Sequence, residues 1–146
     1  MKPGVDYIGV GCGAFILNEK NQILLSKRSK KSRNKAGYWT IPGGRVEFFE
    51  KVEDALKREI KEELGIDIKI IKLLSVTNDI INEENQHWIS PQFLCKIVKG
   101  TPKNLEPKKC DEIKWFDIDN LPDKLTNTTM NGLKYLKIAY KNWFND

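Results

Sequence analysis

The stretch Gly43–Ile66, GGRVEFFEKVEDALKREIKEELGI, mixes seven acidic with five basic side chains. Val52, Ala55, Leu56, Ile60 and Leu64 fall on one half of a helix that advances about 100° per residue. Gly65 follows, where helices commonly end in the left-handed conformation, so the spacing predicts a helix over 51–64. Glu53, Asp54, Lys57 and Lys61 lie on the polar half or at its border. Glu63, however, falls near the middle of the apolar arc, Glu59 sits inside it, and Glu62 lies just off one edge. An unpartnered buried carboxylate costs several kcal/mol, and acids at i, i+3 and i+4 repel one another. Two arrangements relieve this conflict. One is a set of ion pairs, Arg58 with Glu62 among them, with the helix end tilted into solvent. The other is a divalent cation in a cleft at the helix's C-terminal half, because hard cations prefer oxygen ligands and keep waters for substrate phosphates. The Gly43-Gly44 pair ahead of the helix lets backbone approach a ligand closely.

Outward from this helix, the segments YIGVGCGAFIL (7–17) and ILLSKR (23–28) read as strands, separated by the turn NEKNQ. GYWTIPGG (37–44) reads as a short extended piece broken by its glycines. Beyond the helix, IDIKIIKLLSVTNDII (66–81) and HWISPQFLCKIV (87–98) are β-branched runs joined by a polar turn. Pro91 inside the second predicts an edge strand or a bulge. EIKWFDI (112–118) is a further strand. A closing helix carries Leu133, Leu136, Ile138, Tyr140 and Trp143 near helical spacing, with Thr128 or Thr129 as its cap. Strands that interrupt and surround two helices predict an α+β fold, a mixed sheet sandwiched between helices (α/β/α), in one domain over 1–146.

At 146 residues, with 40% hydrophobic and 31% charged content, the chain can bury a proper core. No apolar run approaches the roughly 18 residues needed to span a bilayer. The N-terminal apolar patch alternates with glycines and reads as a strand, not a cleaved leader, which predicts a cytoplasmic protein without membrane contact. Cys12, Cys95 and Cys110 form no CxxC pair and His87 is the lone histidine, so zinc and a disulfide framework are disfavoured. Net charge is +5, much of it in SKRSKKSRNK (26–35). That loop is either exposed decoration or an attractor of phosphates. Dedicated nucleic-acid binding is disfavoured because no aromatic residues interleave the charges.

Gly44, Glu50, Arg58, Glu59, Ile60, Glu62, Glu63, Gly65 and Ile66 stand at the spacing G-x5-E-x7-R-E-U-x-E-E-x-G-U, with U aliphatic. This resembles the Nudix box at every fixed position, and the surrounding strand order resembles the Nudix sandwich. The resemblance implies metal-dependent hydrolysis of a nucleoside diphosphate linked to another group X. It implies that Glu59, Glu62, Glu63 and the Gly43 carbonyl hold Mg²⁺ or Mn²⁺, with Arg58 and Glu50 pairing to orient the glutamates. A carboxylate then aligns or deprotonates the attacking water. Glu59 is the first choice for this base, and a later loop offers Glu83, Glu84, Asp111 and Glu112. Many members carry Gly where this chain has Phe49, which implies a shifted loop and not a lost activity.

For X, the tail LEPKKCDEIKWFDIDNLP (105–122) resembles MutT-like nucleoside triphosphate pyrophosphohydrolases, small monomers or homodimers that release pyrophosphate from NTPs, dNTPs or their oxidised forms. Arg28 resembles a position that reaches substrate phosphate, and Gly44 lines the same turn. Trp39 stacks a base or fills the core. Asn127 or Asn131 reads a base edge or serves a cap or turn. Trp88, Trp115 and Phe116 are assigned to core or strand faces. ADP-ribose hydrolysis is the alternative within the family. A catalytically silent nucleotide sensor is the alternative class, disfavoured because every box glutamate is present.

Overall fold

The computed structural model describes residues 1–32 and 35–145, and side chains as far as residue 139. Among the described residues seven strands and two α-helices follow one another as β1 (Gly9–Ile16), β2 (Gln22–Arg28), β3 (Trp39–Thr40), β4 (Gly43–Arg45), α1 (Val52–Leu64), β5 (Asp67–Ile81), β6 (Gln86–Lys99), β7 (Cys110–Asp117) and α2 (Asn127–Asn145). The strands form two sheets, ordered β4-β1-β6-β5 and β3-β2-β7. Only β1 and β6 run parallel; the other pairs are antiparallel.

Alternation along the central strands builds the layers. Ala14 and Ile16 of β1, with Phe93 and Cys95 of β6, join Ala55, Leu56, Ile60 and Leu64 of α1 in one core. Their sequence neighbours Phe15 and Leu94 point the other way, into a second core with Leu136 of α2. A strand whose successive side chains are all buried needs cover on both faces, and the two helices supply it. Burial of fully enclosed Leu, Ile and Phe side chains stabilises by roughly 2 kcal/mol each. The result is the expected α+β sandwich, with one difference: the expected single sheet is split in two. Strands β1 and β2 meet through an isolated bridge between Leu17 and Ile23, and β2 then pairs with β3 and β7.

Three expectations need correction. Pro91 lies on an interior strand, so of the edge and bulge readings the edge one falls. The β1–β6 register runs to Val10↔Ile89 and resumes at Gly13↔Gln92, so Pro91 occupies a gap where no amide donor is required. A register shift on β5 between Leu73 and Ser75 lies one residue from its partner Val76. The start of α2 comes earlier than expected: Thr126 precedes the helix, and Thr129, fully buried, accepts a hydrogen bond from the Ile41 amide at 3.0 Å. Ile138 is exposed, because it stands two residues, about 200°, from the buried Leu136. Tyr140 and Trp143 lie outside the described side chains.

Candidate active site

The C-terminal half of α1 and strand β4 make one wall of a cleft of about 350 Å³. Glycine is required where they meet. Gly43 lies opposite Gly13 in the β1–β4 ladder, and a Cβ there would collide with the Cys12 carbonyl oxygen. A Cβ on Gly44 would occupy the place of the Glu59 carboxylate. Glu59, Glu62 and Glu63 all line the cleft with these glycines. The left-handed Gly65, φ 71°, ends the helix just beyond them, its amide bonded to the Lys61 carbonyl.

Arg58 organises the acids. Its Nε and Nη2 grip Glu50 at 2.7 and 2.9 Å, Nη1 donates to Glu59 at 2.9 Å and to Glu62 at 3.4 Å, and Nη2 also reaches the Arg45 carbonyl at 3.1 Å. A planar guanidinium suits this forked recognition, which an ammonium could not reproduce. The bonded guanidinium, aided by the Glu47 amide, holds the Glu50 carboxyl down to about 2.

The segment leading to β7 closes the opposite wall. Its amides at Lys103 and Leu105 donate to the carbonyls of Leu64 and Glu63, each at 3.0 Å, satisfying acceptors that the helix end leaves free. Docked this way, Glu106 and Lys109 enter the cleft lining. Burial pushes the Glu63 carboxyl up to about 8, with Glu59 and Glu106 adding repulsion; a hydrogen bond from the Gly43 amide and the charge of Lys109 oppose it. The cleft thus brings the carboxylates of Glu47, Glu59, Glu62, Glu63 and Glu106 together with Arg28 and Lys109.

A family model described as the NUDIX domain matches residues 8–136. This chain belongs to the Nudix family. An ADP-ribose pyrophosphatase of Methanocaldococcus jannaschii is 39% identical over 107 residues, 73% of this chain and 61% of that protein. An 8-oxo-dGDP phosphatase of Danio rerio is 33% identical over 107 residues, 72% of this chain and 31% of that protein. A solved MutT Nudix hydrolase from Burkholderia pseudomallei superposes with a TM-score of 0.83 at 40% identity, covering 89% of this chain and 98% of that one. The Nudix chain thus spans 31 to 61% of the length of these two curated relatives.

The remaining sequence-predicted residues of this Nudix chain divide sharply. Gly43, Gly44, Glu59, Glu62, Glu63 and Arg28 line the cleft together. Arg58 and Glu50 stand behind the glutamates as a clamp. Trp39 is instead set edge-on against Phe116, 4.9 Å between ring centroids, and packs on the second core. Asn131 donates to Thr77 at 2.8 Å, joining a buried network in which Ser75 and Thr77 both bond the Gln92 side chain. Neither comes to the cleft lining. Nor do Glu83 and Glu84, in the 3-10 turn between β5 and β6, or Asp111, which accepts from the Lys30 amide, or Glu112, opposite Lys27 in the β2–β7 ladder.

One cleft residue escapes the sequence reading. Glu106 lines the cleft from the segment LEPKKCDE, in which the sequence points to Asp111 and Glu112 and not to Glu106. Trp88 lies on a face of strand β6, as the sequence reading allows, its ring against Gly4 and Gly9 and bordering a second depression with Asp79, Asn127 and Thr128. Phe49 holds a left-handed backbone, φ 68°, the conformation that favours the glycine many members carry there. Among the described residues no helix is long and apolar enough to cross a membrane.

The donor chemistry fits a hard divalent cation. All the side-chain donors are carboxylate oxygens, and the half-buried Glu63 carboxyl is raised by desolvation and then by Glu59 and Glu106, so a cation would relieve it. As the side chains stand, Arg58 holds Glu59 and Glu62, and among the described residues no three acidic groups converge on one point. Of the two arrangements read from the helix, the ion pairs are the one made by the side chains as they stand.

Proposed function

We propose that this Nudix chain hydrolyses a diphosphate linkage in a nucleotide, a nucleoside diphosphate joined to a further group X, with Mg²⁺ or Mn²⁺. The observation that carries this reading is the meeting of Glu59, Glu62, Glu63 and Glu106 with Arg28 and Lys109 around the Gly43-Gly44 turn. Glu59, Glu62, Glu63 and the Gly43 carbonyl would hold the cation. When bound, it neutralises charge on the diphosphate and lowers the pKa of water.

The protein's own groups do the rest. Arg28 and Lys109 bind phosphate oxygens and set the diphosphate along the cleft. Glu59, its carboxylate seated over Gly44, aligns the attacking water and takes its proton. Glu106, brought in by the docked loop, takes the place of the later-loop carboxylate, since Glu83, Glu84, Asp111 and Glu112 are not in the cleft lining. The Glu50–Arg58 clamp fixes the rotamers of Glu59 and Glu62, a positioning role.

Two choices of X have support. Triphosphates, with pyrophosphate as the leaving group, follow from the tail pattern and from the likeness to the MutT structure at 40% identity. ADP-ribose follows from the 39% identical relative of that activity. Release of phosphate products from dNTPs, 8-oxo-dGTP, ADP-ribose, NADH and sugar nucleotides with each metal tests the reading. Turnover of at least one, abolished by chelator, is expected; turnover of none supports a nucleotide sensor instead.

A further inference from the structure

Ile41 stands between β3 and β4, in neither strand, and among the described residues neither its N–H nor its C=O meets a backbone partner. Three hydroxyls serve it instead. The Ile41 amide donates to Thr129 Oγ1 at 3.0 Å, and the Thr40 hydroxyl donates to the Ile41 carbonyl at 3.3 Å. Thr126 Oγ1 donates to Thr40 Oγ1 at 2.9 Å and lies 2.9 Å from Thr129 Oγ1. A hydroxyl has one proton, and that of Thr126 goes to Thr40, so Thr129 is the donor to Thr126. The four bonds close a ring that leaves the Ile41 amide and returns to the Ile41 carbonyl, every hydroxyl both donating and accepting. Bonds in such a chain strengthen one another, and removing one hydroxyl leaves a polar group without its partner.

The ring joins two places. On one side it is rooted at the start of α2: Thr129 is fully buried, and the Thr126 carbonyl accepts from the Met130 amide at 2.9 Å. On the other it grips the residue two positions before Gly43. Beyond Ile41 the chain is fixed again, the Pro42 carbonyl accepting from the Ala14 amide at 2.9 Å and Gly43 lying opposite Gly13 in the β1–β4 ladder. The Ile41 side chain packs over Gly13, where a Cβ would meet it. Gly44, next along, lies against the Glu59 carboxylate. A shift of the Ile41 peptide thus passes directly to the turn beneath that acid. A second network ties α2 to the sheet without touching the turn: Asn131 donates to Thr77, and Thr77 to Gln92.

We propose that Thr129 is a positioning residue for the hydrolytic cleft, acting through the ring with Thr126, Thr40 and the Ile41 peptide to hold the Gly43-Gly44 turn in register with Glu59. This rests on the proposed reading of the cleft as a diphosphate site and extends its machinery to a helix that contributes nothing to the cleft lining.

Thr129→Val keeps the shape and removes the hydroxyl, Thr129→Ser keeps the hydroxyl, and Thr77→Val cuts the second network. Turnover of ADP-ribose and of dGTP in Mg²⁺ is measured on all three beside wild type. Melting temperatures and, on metal-free protein, amide proton–nitrogen NMR spectra accompany it. Thr129→Val should lose about 10- to 100-fold in kcat with KM little changed, move the Gly43 and Gly44 amide signals, and speed exchange of the Ile41 amide. Thr129→Ser should recover kcat to within a few-fold. Thr77→Val should melt lower than wild type with kcat and both glycine signals unaltered. Should Thr129→Val not fold, Thr126→Val breaks the same ring at a half-buried member and carries the same expectations. A valine variant with wild-type kcat, a serine variant as poor as the valine one, or a kcat loss that Thr77→Val shares would each overturn the proposal. Absence of wild-type turnover on both nucleotides tells against the hydrolase reading, and the spectra then decide the ring: unmoved Gly43 and Gly44 signals overturn it, moved ones support it.

Discussion

Glu50 and Arg58 are eight residues apart in sequence and joined by two parallel bonds of 2.7 and 2.9 Å. The same guanidinium reaches Glu59 at 2.9 Å, so the loop before α1 fixes the rotamer of an acid one turn from the helix end. Glu50→Gln should therefore reduce kcat by about 10- to 100-fold with little change in KM, the usual size for loss of a supporting partner. Arg58→Lys should not rescue, because an ammonium cannot fork between Glu50 and Glu59. Steady-state kinetics on the two variants check this; a pure KM effect would contradict a positioning role.

The two glycines of the turn should fail differently. Gly43→Ala drives a Cβ into the Cys12 carbonyl, a rigid backbone neighbour, and should destabilise by about 1–3 kcal/mol or more. Gly44→Ala meets the far end of the Glu59 side chain, which can swing away. It should melt near wild type yet lose most of its turnover. Thermal melts and activity assays on both variants separate the cases.

Glu63 links stability to pH. Its folded carboxyl titrates near 8 against an ordinary 4.5, so between those values the metal-free folded chain holds a proton that the unfolded chain has released. Stability from this group is complete below 4.5 and lost as pH rises through about 8. In chelator, the melting temperature should fall across that window, and Glu63→Gln should flatten the fall. Cation affinity, which needs the ionised carboxylate, should climb with pH over the same range. A melting temperature that rises from acid to pH 8 in chelator would refute the assignment.

Among the acids outside the box, Glu106→Gln should lower kcat by about ten-fold or more and alter the pH profile, as expected for a carboxylate facing the reacting centre. Asp111→Asn, Glu112→Gln and Glu83→Gln should stay within a few-fold of wild type. Profiles of kcat against pH for the four variants check the ranking.

Much of this was legible in the sequence because it is local. The apolar spacing of Ala55, Leu56, Ile60 and Leu64 is a property of one helix, Gly65 ends it, and the intrusion of Glu59 and Glu63 on the apolar side marks the site. That successive side chains of β1 and β6 enter opposite cores likewise follows from a period of two. What escaped was long-range. No local pattern says that the amides of Lys103 and Leu105 will cap α1 and so carry Glu106 into the cleft. Nor does one say that β2 leaves β1 to pair with β7, which splits the sheet. Trp39, Trp88 and Asn131 have side chains suited to a core, a surface or a ligand, and only the neighbours decide.

The central claim is that the glutamates crossing α1's apolar face serve diphosphate hydrolysis. Phosphate release from the nucleotide panel in Mg²⁺, measured on wild type and Glu59→Gln under identical conditions, tests it most directly. Wild type should turn over at least one diphosphate-linked nucleotide, and Glu59→Gln should lose about 10²- to 10⁴-fold in kcat while melting at or above the wild-type temperature. A Glu59→Gln protein that hydrolyses every active substrate near the wild-type rate would contradict it.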